Sequence, residues 1–158
     1  MFKVTASTPT RVDLAGGTLD ILPLHHLLEA KATVNLAVSL NAAVEIRPAV
    51  DGVFTIVSED QDQSVSGRLA DVLAARQLPL FSFLLGALWN PSLPALQIRA
   101  RAKSPQGAGL GGSSSLGIAV AAALMAARHE LNGESALGGQ GLVQLVQDVE
   151  TRLIHAPT

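Results

Sequence analysis

The stretch that most restricts the fold is Ser104-Pro105-Gln106-Gly107-Ala108-Gly109-Leu110-Gly111-Gly112-Ser113-Ser114-Ser115. Four glycines and three serines fall within residues 107–115, between a period-two segment and a long run of Ala, Leu and Val. Glycine allows tight turns and close approach of backbone amides to a ligand. Ser113, Ser114 and Ser115 suit a helix start, because a hydroxyl accepts from amides that the first turn leaves unpaired. Free N–H donors and the positive end of the helix dipole then converge on one point, which makes an anion site. The stretch therefore reads as a phosphate cradle. A flexible Gly/Ser linker does not usually follow a strand and feed so strong a helix.

Two phosphate loops can be tested against this text. The P-loop of nucleotide hydrolases requires Lys after its last glycine, whereas Gly112 is followed by Ser113. The dinucleotide fingerprint G-x-G-x-x-G matches formally at Gly107, Gly109 and Gly112. Its context is wrong, since no second strand with a ribose-binding acid follows the helix. A dinucleotide-binding oxidoreductase domain stands as a rival reading, tested by comparing NAD with ATP binding.

Periodicity places the loop among other elements. Phe2 to Ser7 reads as a short strand closed by Pro9, and Val12 and Leu14 alternate with Arg11 and Asp13 up to the break at Gly16-Gly17. Residues 21–31 read as an apolar loop or short helix. Its pair His25-His26 lacks the partners of a metal site and is assigned to the surface or the substrate side. Val34, Leu36, Val38, Leu40, Ala42, Val44 and Ile46 share one face of a long bent strand, or of two strands in series. Asp51-Gly52 predicts a tight hairpin that returns through Phe54 and Ile56. Residues 59–66 are polar, a loop or weak strand. Helices are predicted over 68–77 and 80–89, and a strand over 95–102 that leads to Lys103 and the loop. Trp89 is assigned to the core rather than to an adenine pocket. Lys103 either adds charge near the phosphates or is a solvated strand end. The helix after the loop runs from Ser113 to Leu131 and is capped at Asn132-Gly133. A last helix over 140–155 carries Leu142, Leu145, Val149 and Leu153 as its buried stripe, with Glu150 bordering apolar neighbours. A carboxylate there is either a boundary residue with its head in water or a functional group. Strands first and packed helices last predict an α/β two-layer sandwich, a mixed sheet with helices on one face.

Residues 105–115 resemble the second signature of the GHMP small-molecule kinases (galactokinase, homoserine kinase, mevalonate kinase, phosphomevalonate kinase), whose loop wraps the triphosphate of ATP. Thr8-Pro9-Thr10-Arg11-Val12-Asp13-Leu14-Ala15-Gly16-Gly17-Thr18-Leu19-Asp20 resembles the first signature, with Arg11 and Asp20 on its charged positions. Gly17 and Thr18 stand where galactokinases carry a Glu-His pair, so galactose recognition of that type is not implied. The wording is similar to the branch of heptose-7-phosphate and fucose kinases. That resemblance implies transfer of the γ-phosphoryl of ATP to a hydroxyl of a sugar or sugar phosphate. Nucleotide would be bound by Lys103, Pro105, Gly107, Gly109, Leu110, Gly111, Gly112, Ser113, Ser114 and Ser115, and Mg²⁺ by Ser113 and Glu150. Arg11 would neutralise developing charge, and Asp20, Gly17 and Thr18 would lie on the substrate side. The implied fold is the GHMP N-terminal, ATP-binding domain over residues 1–158, including a left-handed β-α-β crossover against the usual right-handed rule. The family's catalytic Asp and second α/β domain are expected beyond Thr158. The chain is accordingly expected to be a truncated form, a proteolytic product or half of a split gene, inactive alone and prone to pair with its missing half or itself. A non-catalytic nucleotide-binding or scaffold module is the remaining rival, separated by a turnover assay.

Composition narrows the partners. At 158 residues, 48% hydrophobic and 15% charged, the chain has the makings of one well-packed domain. A net charge of −2, no Tyr, one Trp and four Phe offer neither a basic footprint nor stacking platforms for nucleic acid. The absence of Cys rules out disulfides and thiolate metal sites and suits a cytoplasmic enzyme. The start has no signal-peptide core, and the apolar run Leu116–Ala127 is too short to span a bilayer.

Overall fold

Alternating strands build one sheet, and the apolar helices pile onto one side of it. The computed structural model describes residues 2–17, 27, 32–105 and 107–155. In chain order the elements are β1 (Val4–Ala15), β2 (Val34–Pro48), β3 (Phe54–Ser58), β4 (Gln63–Gly67), α1 (Leu69–Ala74), α2 (Pro79–Leu88), β5 (Leu96–Ala102), α3 (Gly112–Asn132) and α4 (Gly139–His155). The sheet order is β1-β2-β5-β3-β4. All neighbours are antiparallel except β3 and β5, which run parallel. This is the mixed sheet with helices on one face that the element pattern predicts.

One face of each inner strand is dry. Ala42, Val44 and Ile46 of β2, Ile56 of β3 and Leu96, Ile98 and Ala100 of β5 are buried. They pack in one core with Phe81, Leu84 and Leu85 of α2 and Ala119, Val120 and Leu124 of α3. The opposite face is polar: Lys3 and Arg47 each meet Glu45 at 2.8 Å, and Arg99 meets Glu59 at 3.5 Å. The hydrogen bond from Lys3, with Arg47 beside it, holds the Glu45 carboxyl below the usual carboxylate range. The ala-rich α3 lies against β1, β2 and β5, with α2 and α4 packed on it. Its C-terminus is the expected cap: Gly133 adopts φ +72° and its N–H donates to His129 O at 2.8 Å. Trp89 is in the core, with Nε1 donating to Pro94 O at 3.2 Å.

Three sequence expectations are corrected. Asp51-Gly52 makes the predicted turn, with Gly52 at φ +72° and Val53 N–H donating to Asp51 Oδ1, but it does not join a hairpin. β5 takes the place between β2 and β3, and the connection from β3 to its parallel neighbour β5 runs through β4, α1 and α2. The hairpin partner of β3 is β4, the polar stretch read as loop or weak strand. Pro9 does not close the first strand; β1 runs through it, at a register shift between Thr8 and Thr10. An edge strand tolerates a missing N–H at such an irregularity. Finally, the apolar face of β2 is buried only in its second half; Val34 and Leu36 are exposed, as is Leu14 opposite. Among the described residues, no helix is long and apolar enough to cross a membrane.

Candidate functional site

The glycine loop hangs between the end of β5 and the start of α3, over the edge where β1 passes. Lys103 N–H donates to Asn41 O at 3.2 Å, which extends the ladder between β2 and β5 to the loop's first residues. Inside the loop Ala108 N–H donates to Pro105 O at 3.3 Å. Gly107, Gly109 and Gly111 have φ of +75°, +70° and +65°, a region that side chains disfavour. A Cβ on Gly107 or Gly109 would meet nothing within 4 Å, so this part of the loop presents bare backbone to open space.

Gly111 caps α3 in the left-handed conformation, without a side-chain hydrogen bond. The Ser115 N–H to Gly111 O bond, at 3.0 Å, closes the first helical turn. The amides of Gly112, Ser113 and Ser114 precede that bond, and the helix dipole adds its positive end to them. A second anchor comes from β1. Arg11 N–H donates to Leu110 O at 3.1 Å, Thr8 Oγ1 to Ser115 O at 2.6 Å, and Ser115 Oγ to Pro9 O at 3.0 Å. Arg11, held by Asp13 at 3.0 Å, is thereby placed at the loop: a Cβ on Gly111 would lie 3.4 Å from its Nη1.

The last helix delivers a carboxylate to the same place. Ser114 Oγ lies 3.0 and 2.8 Å from the two oxygens of the half-buried Glu150. A close approach of α3 and α4 makes this contact possible. A Cβ on Gly117, one turn along α3, would come within 2.8 Å of Val146 Cγ1, one turn back along α4. Among the described residues no three of His, Cys, Asp and Glu gather into a metal site. A hydroxyl and one carboxylate beside the free amides at the start of a helix still fit Mg²⁺, which favours hard oxygens and takes its other ligands from phosphates and water.

The structure thus brings together Arg11, the 103–115 loop and Glu150. Gly17 lies at the end of β1 beside Asp13. Thr18, Asp20, His25 and His26 lie outside the described residues, as does Gln106. The hydroxyl on Glu150 belongs to Ser114, one residue beyond the Ser113 paired with it from the sequence. Three adjacent serines carry no signal in the text that separates them; the rotation of α3 against α4 does. Thr8 and Gly117 carry no signal in the sequence for the same reason, since each meets a partner on another element. Thr10 of β1 is buried, and its Oγ1 has no hydrogen-bond partner among the described residues.

A family model described as GHMP kinases N terminal domain matches residues 72–157. Similar solved structures include the Methanococcus jannaschii mevalonate kinase, at 19% identity and TM-score 0.75, covering 99% of this chain and 49% of that one. A D-glycero-D-manno-heptose 1-phosphate kinase from Bacteriodes thetaiotaomicron matches at 21% identity and TM-score 0.78, with 98% and 50% covered. Lactococcus lactis galactokinase complexed with galactose matches at 16% and 0.72, with 99% and 39% covered. At these identities the likeness establishes the fold. The chain spans half or less of the length of these structures. No curated protein sequence matches it.

Proposed function

The chain belongs to the family of GHMP kinase N-terminal domains, and from that premise we propose that it is the nucleotide-binding half of an ATP-dependent small-molecule kinase. The observation that carries the reading is the convergence of three elements on one loop. Uncapped amides of α3, the Arg11 side chain from β1 and the Glu150 carboxylate from α4 all meet at residues 109–114. In the proposed reaction an acceptor hydroxyl oxygen bonds to the γ-phosphorus while the bond to the β,γ-bridging oxygen breaks. Phosphoryl transfer of this kind depends on positioning and charge stabilisation more than on covalent chemistry by the protein.

The proposed roles draw on the positions of the described residues and on the family resemblance. Amides of Gly109 to Ser114 hold the phosphate oxygens, with Lys103 at the loop's root and Pro105, Gly107 and Leu110 shaping it. Arg11 neutralises charge that develops on the transferred group, and Asp13 holds its guanidinium in place. Glu150, with the hydroxyls of Ser113 and Ser114, holds Mg²⁺, which when bound offsets phosphate charge. Asp20, with Gly17 and Thr18, is assigned to the acceptor by the resemblance of residues 8–20 to the family's first signature. The acceptor we favour is a sugar or sugar phosphate, supported by the likeness of residues 11–17 to the heptose and fucose kinase branch.

Calorimetry with MgATP tests the site. Gly111→Val puts a branched side chain at φ +65° against Arg11, at a cost of about 1–2 kcal/mol in stability. The protein should remain folded and lose measurable MgATP binding. Wild-type affinity in a folded Gly111→Val protein rejects the phosphate reading, and tighter binding of NAD than of MgATP would favour a dinucleotide domain.

A further inference from the structure

Gly112 differs from the other three glycines of the loop. Gly107, Gly109 and Gly111 have positive φ, whereas Gly112 has an ordinary backbone and begins α3. Its lack of a side chain has another cause. A Cβ on Gly112 would overlap the Oγ of Ser104, the residue between Lys103 and Pro105 at the loop's root, while the Ser104 Cβ lies 3.6 Å from the same point. The hydroxyl therefore occupies the volume that a side chain at the helix start would fill. No hydrogen bond of that hydroxyl occurs among the described residues, and its place against Gly112 sets it at the start of α3.

We propose that Ser104 is a further ligand residue of the phosphate site, supplying from the strand side of the loop the hydroxyl that Gly112 cannot supply from the helix side. The proposal rests on the phosphate reading of the loop. A hydroxyl can donate to a phosphate oxygen, and its single rotatable bond aims it with little loss of freedom. Gly112 is then a glycine so that Ser104 can hold this rotamer. A methyl at 112 does not break the fold, because Ser104 can swing aside, but it turns the hydroxyl out of the site.

The test is a double-mutant cycle on MgATP affinity by calorimetry, with thermal unfolding followed in parallel. Ser104→Ala should weaken binding about ten- to a hundredfold, the range for one hydrogen bond to a charged group, with the melting temperature little changed. Gly112→Ala should weaken it to a similar degree, because it evicts the same hydroxyl. The two losses should not add: Ser104→Ala/Gly112→Ala should bind no more weakly than the weaker single variant, since the remaining Ser104 Cβ leaves room for the new methyl. Wild-type affinity in Ser104→Ala, or losses that multiply, overturns the role of Ser104 and leaves the phosphate site standing. Absence of MgATP binding by the unaltered protein overturns both.

Discussion

At the scale of single residues, the site depends on which oxygen faces which. Glu150 is half-buried at the edge of an apolar stripe and accepts from one hydroxyl, that of Ser114, on both oxygens. A carboxylate so placed is either a structural clamp between α3 and α4 or a metal ligand, and the two roles respond differently to loss of charge. Glu150→Gln keeps the shape and one acceptor, so stability should change by no more than about 1 kcal/mol. As a metal ligand it should weaken ATP binding about tenfold or more in the presence of Mg²⁺ and leave metal-free ATP binding nearly unchanged. Calorimetry with and without Mg²⁺, alongside thermal unfolding, separates the cases; equal affinities under both conditions with lowered stability would assign Glu150 to the clamp alone. The sequence marks Glu150 as a candidate because its neighbours are apolar. It cannot choose among Ser113, Ser114 and Ser115, whose spacing from Glu150 becomes a distance only after two helices have packed.

At the scale of elements, the α3–α4 pair is the mechanical support of the site. The stripe read from the sequence, Leu142, Leu145, Val149 and Leu153, does pack against the core, and Val146 joins it fully buried. Gly117 lets the two helices pack closely, and nothing in the periodicity of an Ala-rich run singles it out. Its Cβ would meet Val146 Cγ1 at 2.8 Å. Gly117→Ala should therefore force α4 outward, lowering stability by about 1–3 kcal/mol despite the better helix propensity of alanine. Because Ser114 and Glu150 lie one turn beyond this contact, MgATP affinity should fall too. Val146→Ala in the same chain removes the colliding methyl and should restore part of the affinity. A Gly117→Ala protein as stable as the original, by denaturant unfolding, would show that the helices yield without cost.

At the scale of the molecule, the chain forms one α/β unit whose candidate site faces outward. The Arg11 side chain is exposed, Gly107 and Gly109 open to space, and Leu14, Val34 and Leu36 at the same end of the β1–β2 ribbon are exposed. The solved structures that share the fold are about twice as long or more. Phosphoryl transfer needs the acceptor held in line with the phosphate and water kept out, and positioning of this kind supplies much of the acceleration. Residues 1–158 by themselves should accordingly bind MgATP weakly and turn over no sugar. An ATP-consumption assay on that protein with a panel of sugars and sugar phosphates checks this. Sugar-dependent turnover of roughly 1 per second or faster, an ordinary kinase rate, contradicts it.

Local chemistry determined what was legible in the sequence. The glycine loop and its helix, the cap at Gly133, the alternating faces of β2 and β5 and the buried stripe of α4 all follow from interactions within a few residues, where period, glycine and capping act directly. Packing decided the rest. Only the tertiary structure inserts β5 between β2 and β3, because strand order depends on which edges the helices leave free, and the Asp51-Gly52 turn looks the same in either order. Only the assembled fold sets Ser114 against Glu150 and Ser104 against Gly112. The first contact joins two helices and depends on how far each is rotated and how closely it approaches; the second depends on how the glycine loop folds back onto the start of α3, and no spacing along the chain encodes either.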